Sequence, residues 1–173
     1  MRIRLPSRAT RLAALIALIV FAKGAPADAG GRQFSSDRWG IALTTPSNWR
    51  VTERTPYGRV LIVMVTRAPR ATMMVSAQTL GEDLDAAAFA LSTAEILDGL
   101  GFETTSPQLH PATGAYWLDV TTPRAHLRQA FVTADGTGYS LTLSADTAED
   151  RSHHIRAFDS VLGSLQIERG GER

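Results

Sequence analysis

The chain has 173 residues, 18 basic and 17 acidic side chains, a formal charge of +1 and no cysteine. Without cysteine there can be no disulfide, thiolate metal site, cysteine nucleophile or lipid-carrying lipoprotein cysteine. A near-balanced chain without a run of basic residues beyond the first thirty is a poor partner for nucleic acid, which calls for a concentrated basic face.

Residues 1–29 read as a secretory signal peptide. Arg2, Arg4, Arg8 and Arg11 form a positive start, an apolar run follows at 12–22, and Ala27-Asp28-Ala29 supplies a small-residue exit. That order is what export requires, and the run is about half of the ~20 apolar residues a bilayer-spanning helix needs. Cleavage after Ala29 leaves 144 residues, expected to form one domain over 30–173. The leader carries four arginines, Lys23 and Asp28, a surplus of +4, so the remainder has a net charge of −3. Every cation beyond residue 29 is an arginine. The expected location is periplasmic or extracellular, with no transmembrane segment after the leader.

In the remainder, Ile41 and Leu43 alternate with small residues and predict a half-buried strand, which Pro46 and Ser47-Asn48 end. Trp49 and Val51 open the next. Residues 59–67 (RVLIVMVTR) read as a central strand covered on both faces. Ala68-Pro69-Arg70 turns the chain, and 72–79 returns beside it. Asp85 is placed to cap a helix, with Leu84 and Phe89 stapled across the cap. Phe89, Thr93, Ile96, Leu97 and Leu100 share its inner face, and Gly101 suits the left-handed position after its end.

Strands are expected at 112–122, 125–134 and 138–145. If Pro123-Arg124 is a two-residue turn, Asp119 faces Arg128 and their pairing fixes the register. Asp135-Gly136 signals the next hairpin. A last helix begins near Asp146, with Glu149 completing a capping box and Ile155, Phe158, Leu162 and Leu165 as its buried stripe. A short strand at 165–167 can follow. Hairpin-linked strands with separated helices make an α+β protein with a mostly antiparallel sheet.

The pattern Gly40-Ile41, Leu43, Pro46, Trp49 resembles the PsbP-like superfamily, which includes PsbP, the Ran-binding Mog proteins and DcrB-like periplasmic proteins. The stretches 135–143 (DGTGYSLTL) and 158–165 (FDSVLGSL) are similar to its penultimate hairpin and closing helix. The resemblance implies a curved, mostly antiparallel sheet sandwiched by helices and a non-catalytic role in binding or assembly. It carries over no catalytic residue. Trp49 is expected to bury its ring and donate its indole N–H to a backbone carbonyl. Trp39 either closes one end of the core or presents an anchor to a partner.

No chemistry-bearing constellation stands out. In residues 149–154 (EDRSHH), Glu149/His153 and Asp150/His154 are helical i,i+4 pairs, yet zinc needs three or four converging ligands and H-E-x-x-H is absent. The economical reading is a favourable helix start followed by two solvated imidazoles. Serines, His110, His126 and aspartates are present without a nucleophile elbow. Glu82, Asp83 and Asp85 lack calcium-loop spacing and read as capping. Met73-Met74 reads as a core-plus-edge pair. The sequence therefore points to no catalytic, metal or cofactor site. It points to an exported, non-catalytic binding or assembly protein of the bacterial cell envelope whose partner is another envelope protein. The alternative is a periplasmic carrier enclosing an apolar ligand such as a lipid, and interior volume separates the two.

Overall fold

The computed structural model describes residues 31–54, 59–81 and 84–168. The leader-like stretch lies outside the described residues, as do Glu82 and Asp83 of the carboxylate cluster. The described residues start with a hairpin, β1 (Gln33–Ser36) and β2 (Ile41–Thr44). Three strands follow, β3 (Arg50–Arg54), β4 (Val60–Arg67) and β5 (Arg70–Thr79), and then α1 (Ala86–Gly99). Two short pieces, β6 (Glu103–Thr104) and β7 (Gln108–Leu109), pair with β8 (Tyr116–Thr121). The meander continues through β9 (His126–Ala134) and β10 (Thr137–Ala145). Helices α2 (Ala148–His153) and α3 (Ile155–Gly163) and strand β11 (Gln166–Ile167) close the fold.

The architecture is α+β. An eight-stranded antiparallel sheet runs β3-β4-β5-β10-β9-β8-β6, with β7 also on β8. Helix α1 packs on β8 and β9 from one side. The other side meets α2, α3 and a second, three-stranded sheet, β1-β2-β11. Strand alternation therefore builds two cores. Met64, Met73, Val75, Leu141 and Leu143 face the small sheet and α3 with Phe34, Leu43, Phe158 and Leu162. Leu118, Val120 and Phe131 face α1 through Phe89, Ala90, Ala94 and Leu97.

Local signals hold where the physics is local. The Asp85 carboxylate accepts from the Ala88 N–H at 2.8 Å. At the far end of α1, Phe102 N–H reaches the Leu97 carbonyl (3.1 Å) and Gly101 N–H that of Asp98 (2.9 Å), with Gly101 at φ 83°. That double bond satisfies carbonyls the helix leaves open, and it needs the left-handed glycine. Asp135 and Gly136, at φ 48° and 71°, form the tight turn between β9 and β10. Thr122 N–H meets the Ala125 carbonyl at 2.9 Å, closing the two-residue turn.

Several expectations are corrected. The β2 strand is half-buried as expected, but it belongs to a separate small sheet, and its partner β1 was not expected as a strand. Strand β4 lies second from the edge, with Val63 and Val65 half-buried. Its apolar run reflects a bulge between Val60 and Ile62, which turns Leu61 and Ile62 both inward. Strand β8 starts at Tyr116, because the preceding residues turn about Gly114, whose N–H meets the His110 carbonyl at 2.9 Å. Leu100 is exposed (55 %) because the chain has left the helical face where Gly101 redirects it. The last helix is capped by Thr147, not Asp146, with Asp150 as its reciprocal partner, and it breaks at His154.

Candidate functional site

The 149–154 segment, the most chemistry-like stretch of the sequence, is pulled apart by the fold. Asp150 is committed to the cap, where the Thr147 hydroxyl accepts from the Asp150 N–H at 3.1 Å and donates to its carboxylate at 2.8 Å. Arg151 turns onto the sheet, Ser152 donates to the Ala148 carbonyl (2.8 Å), and His153 stays exposed. His154 is not solvated but 5 % exposed, with Nε2 2.9 Å from the Pro69 carbonyl. That contact places the proton on Nε2, since the carbonyl can only accept. Its ring meets Trp49 edge-on at 5.2 Å between centroids. The helix break at His154 thus sets one imidazole inside and its neighbour outside, so the i,i+4 pairing with the acids does not assemble. Among the described residues no three His, Asp or Glu side chains gather as metal ligands.

Trp49 is buried, as expected, but its indole N–H has no hydrogen-bond partner, which corrects the predicted carbonyl contact. Trp39 is half-buried against the core, and its carbonyl accepts from the Tyr139 hydroxyl at 2.5 Å. Burial pushes the Tyr139 phenol above its ordinary value near 10, and the negative charge of Asp135 acts in the same direction.

His110 has the outline of a relay. Its Nδ1 lies 3.0 Å from the Thr113 hydroxyl and its Nε2 3.8 Å from Asp159. The latter distance is beyond hydrogen bonding, so the acid does not fix the imidazole as a catalytic partner would. The Thr113 contact is a three-residue turn closure, which also places Thr113 beneath the Ala115 N–H at 3.4 Å. His126 lies on β9 opposite Thr121, away from His110. Met73 is fully buried and Met74 half-buried on the opposite face.

The densest polar arrangement is a charged node on β8, β9 and α2. Arg128 donates to both Asp119 oxygens, Nε at 2.8 Å and Nη2 at 2.9 Å. Arg151 Nη1 lies 3.0 Å from the same carboxylate and 3.2 Å from the Leu127 carbonyl. The Arg128 guanidinium lies over the Trp117 ring, 3.9 Å from its centroid. The cross-strand pair was legible from the hairpin register, and Trp117 is its diagonal neighbour on the same face. Arg151 was not, because nothing local sets where α2 lands on the sheet.

Between the large sheet and α3 there is little interior space for a carried ligand. The gap between the sheet and α3, lined by Val75, Ala130, Leu141, Val161 and Leu165 among others, holds about 10 Å³. That is room for about one water at most, and far below the roughly 300–1,000 Å³ of a small-molecule pocket.

No protein-family model and no curated protein sequence matches the chain. Solved structures do. Cyanobacterial PsbP from Synechocystis sp. PCC 6803 is similar over 86% of this chain and 99% of its own, at 15% identity and a TM-score of 0.57. The Ran-binding protein Mog1p of Saccharomyces cerevisiae is similar over 82% and 97%, at 10% identity and a TM-score of 0.59. LpqN of Mycobacterium tuberculosis, a protein involved in cell envelope biogenesis, is similar over 79% and 84%, at 18% identity and a TM-score of 0.51. These likenesses span nearly the whole of each partner, and they bear out the resemblance read from the strand, corner and closing-helix residues: the chain has the PsbP-like fold.

Proposed function

We propose that this chain is an exported, non-catalytic binding or assembly protein of the bacterial cell envelope that works by presenting a surface to another envelope protein. The observation that supports this reading over the lipid-carrier alternative is the narrow gap between the sheet and α3, which among the described residues holds only about 10 Å³. A carrier must keep space for its cargo, whereas an interaction protein gains by filling it. The dispersal of 149–154 supports the same reading, since its side chains serve a cap, a sheet contact and a buried ring contact. Among its structural neighbours, Mog1p is a Ran-binding protein and LpqN is involved in cell envelope biogenesis, which favours binding and an envelope setting. Export rests on residues 1–29, and no helix of the described residues is long and apolar enough to cross a membrane.

The test is cross-linking of the C-terminally tagged chain in its own cells, followed by identification of what it captures. A discrete envelope protein, captured by a product trimmed after Ala29, is the expected result. Co-purified lipid in native mass spectrometry, or an untrimmed chain in the cytoplasm, overturns it.

A further inference from the structure

The charged node has an unspent positive charge. Two guanidinium groups face one carboxylate, and among the described residues neither arginine pairs with a second acid. Glu103, paired with Thr121 on the sheet edge, makes no ion pair with either. The Asp119 oxygens are already taken, by Arg128 Nε and Arg151 Nη1 on one and Arg128 Nη2 on the other. Among the described residues Arg128 Nη1 and Arg151 Nη2 have no protein acceptor and stay open to solvent, while Arg151 Nε is buried without one. A cluster of mere solubilising charges would not look like this. The two side chains are only 18 % and 15 % exposed, so water screens their charge less than at an open surface.

The node is also held still. Trp117 covers one face of the Arg128 guanidinium, Asp119 fixes one edge with two parallel bonds, and the Leu127 carbonyl anchors Arg151. A guanidinium fixed on a ring and a fork loses little freedom when it takes a second carboxylate. His126 shares this face of β9, and the exposed Arg124 sits at the hairpin tip beside it. All of this lies on a domain whose net charge beyond the leader is −3, so the patch is a local feature against the general charge.

We propose that Arg128, Arg151 and Trp117 form a docking point for an acidic segment of a partner protein, one Asp or Glu side chain bridging the free edges of the two guanidinium groups. This rests on the reading of the chain as an interaction protein and names the chemistry of its partner. The bridging carboxylate brings the node to charge balance and accepts from the outward Arg128 Nη1 and Arg151 Nη2.

The test is fluorescence anisotropy of the purified full chain with a labelled oligoglutamate peptide at low and physiological salt, with oligoglutamine as the neutral control. Oligoglutamate is expected to bind and to weaken with salt. Arg151→Gln, which keeps the Asp119–Arg128 fork, is expected to weaken it about tenfold. Arg124→Gln leaves it within about twofold, as an exposed charge should. Asp119→Asn separates docking from a purely structural role. It lowers the melting temperature in either case, but only a docking site gains peptide affinity, by about fivefold, when its competing carboxylate is removed. Three results overturn the proposal: oligoglutamate bound no better than oligoglutamine, Arg151→Gln folded yet binding as wild type, or inorganic phosphate displacing the peptide at equal concentration. Failure here leaves the cross-linking result untouched, and failure of cross-linking leaves this titration readable.

Discussion

The two sides of the large sheet are built from alternate residues of the same strands, yet they are different materials. On β5 and β10 the set facing the small sheet and α3 is Met73, Val75, Leu141 and Leu143, each no more than 4 % exposed. The set facing the α1 side is Thr72, Met74, Ser76, Ser140, Thr142 and Ser144. There Ser76 and Ser140 hydroxyls meet at 2.7 Å, and the Gln129 amide donates to Thr142 at 3.2 Å. Helix α1 covers the apolar part of that side, on β8 and β9, and the hydroxyl-bearing strands lie beside it. One side is stabilised by removing aliphatic surface from water, the other by pairing small polar groups across strands. The contrast predicts large penalties for truncation on the first and small, pairwise effects on the second.

The largest effect is expected for Phe158→Ala. Phe158 is 1 % exposed at the centre of the apolar side, and truncation of such a ring costs about 3–5 kcal/mol. Urea unfolding at neutral pH reads it, and a loss below about 1 kcal/mol would mean that α3 is not part of the core. Gly138→Ala probes the seam between the two materials. A Cβ there would stand 2.7 Å from both Leu80 and Phe89, so those side chains must move within a filled core at a cost of about 1–3 kcal/mol. If the variant is as stable as wild type, α1 sits more loosely on the sheet than this geometry requires.

How much of this was legible in the sequence follows the range of the forces involved. The Asp85 cap, the Gly101 exit, the Asp135-Gly136 turn and the Asp119–Arg128 pair each depend on residues within one turn or hairpin, and each is found. The small sheet joins residues 33–44 to 166–167 across most of the chain, and no local pattern encodes that pairing. His154 was misjudged because its burial is fixed by Pro69 and Trp49, both distant in sequence. The charged node was half legible. Its cross-strand pair follows from the turn at Pro123-Arg124, whereas Arg151 enters only once α2 has docked.

Tyr139 offers a probe of the apolar side that depends on pH. Its folded pKa is raised by burial, so the protonated phenol is the form the fold favours. The stability it contributes is fully present below the unfolded value near 10 and is lost as pH climbs through the raised folded value. Tyr139→Phe removes the donor to the Trp39 carbonyl, costing about 1–2 kcal/mol at pH 7, and should flatten the decline above pH ~10. Unfolding curves collected from pH 7 to strongly alkaline conditions test both halves, and a variant that declines as steeply as wild type would place the alkaline sensitivity elsewhere.

The smallest effect is the most diagnostic of the hydroxyl side. Ser76→Ala or Ser140→Ala alone leaves one half-buried hydroxyl facing a methyl group and should cost up to about 1 kcal/mol. The double variant removes both groups together, leaves no unpaired polar atom, and should return to within about 0.5 kcal/mol of wild type. The hydroxyl pair would then be recognised as replaceable by apolar contact, and its presence would owe nothing to net stability. Costs that simply add in the double variant would contradict this, because they would show each serine acting through partners other than its neighbour across the strands.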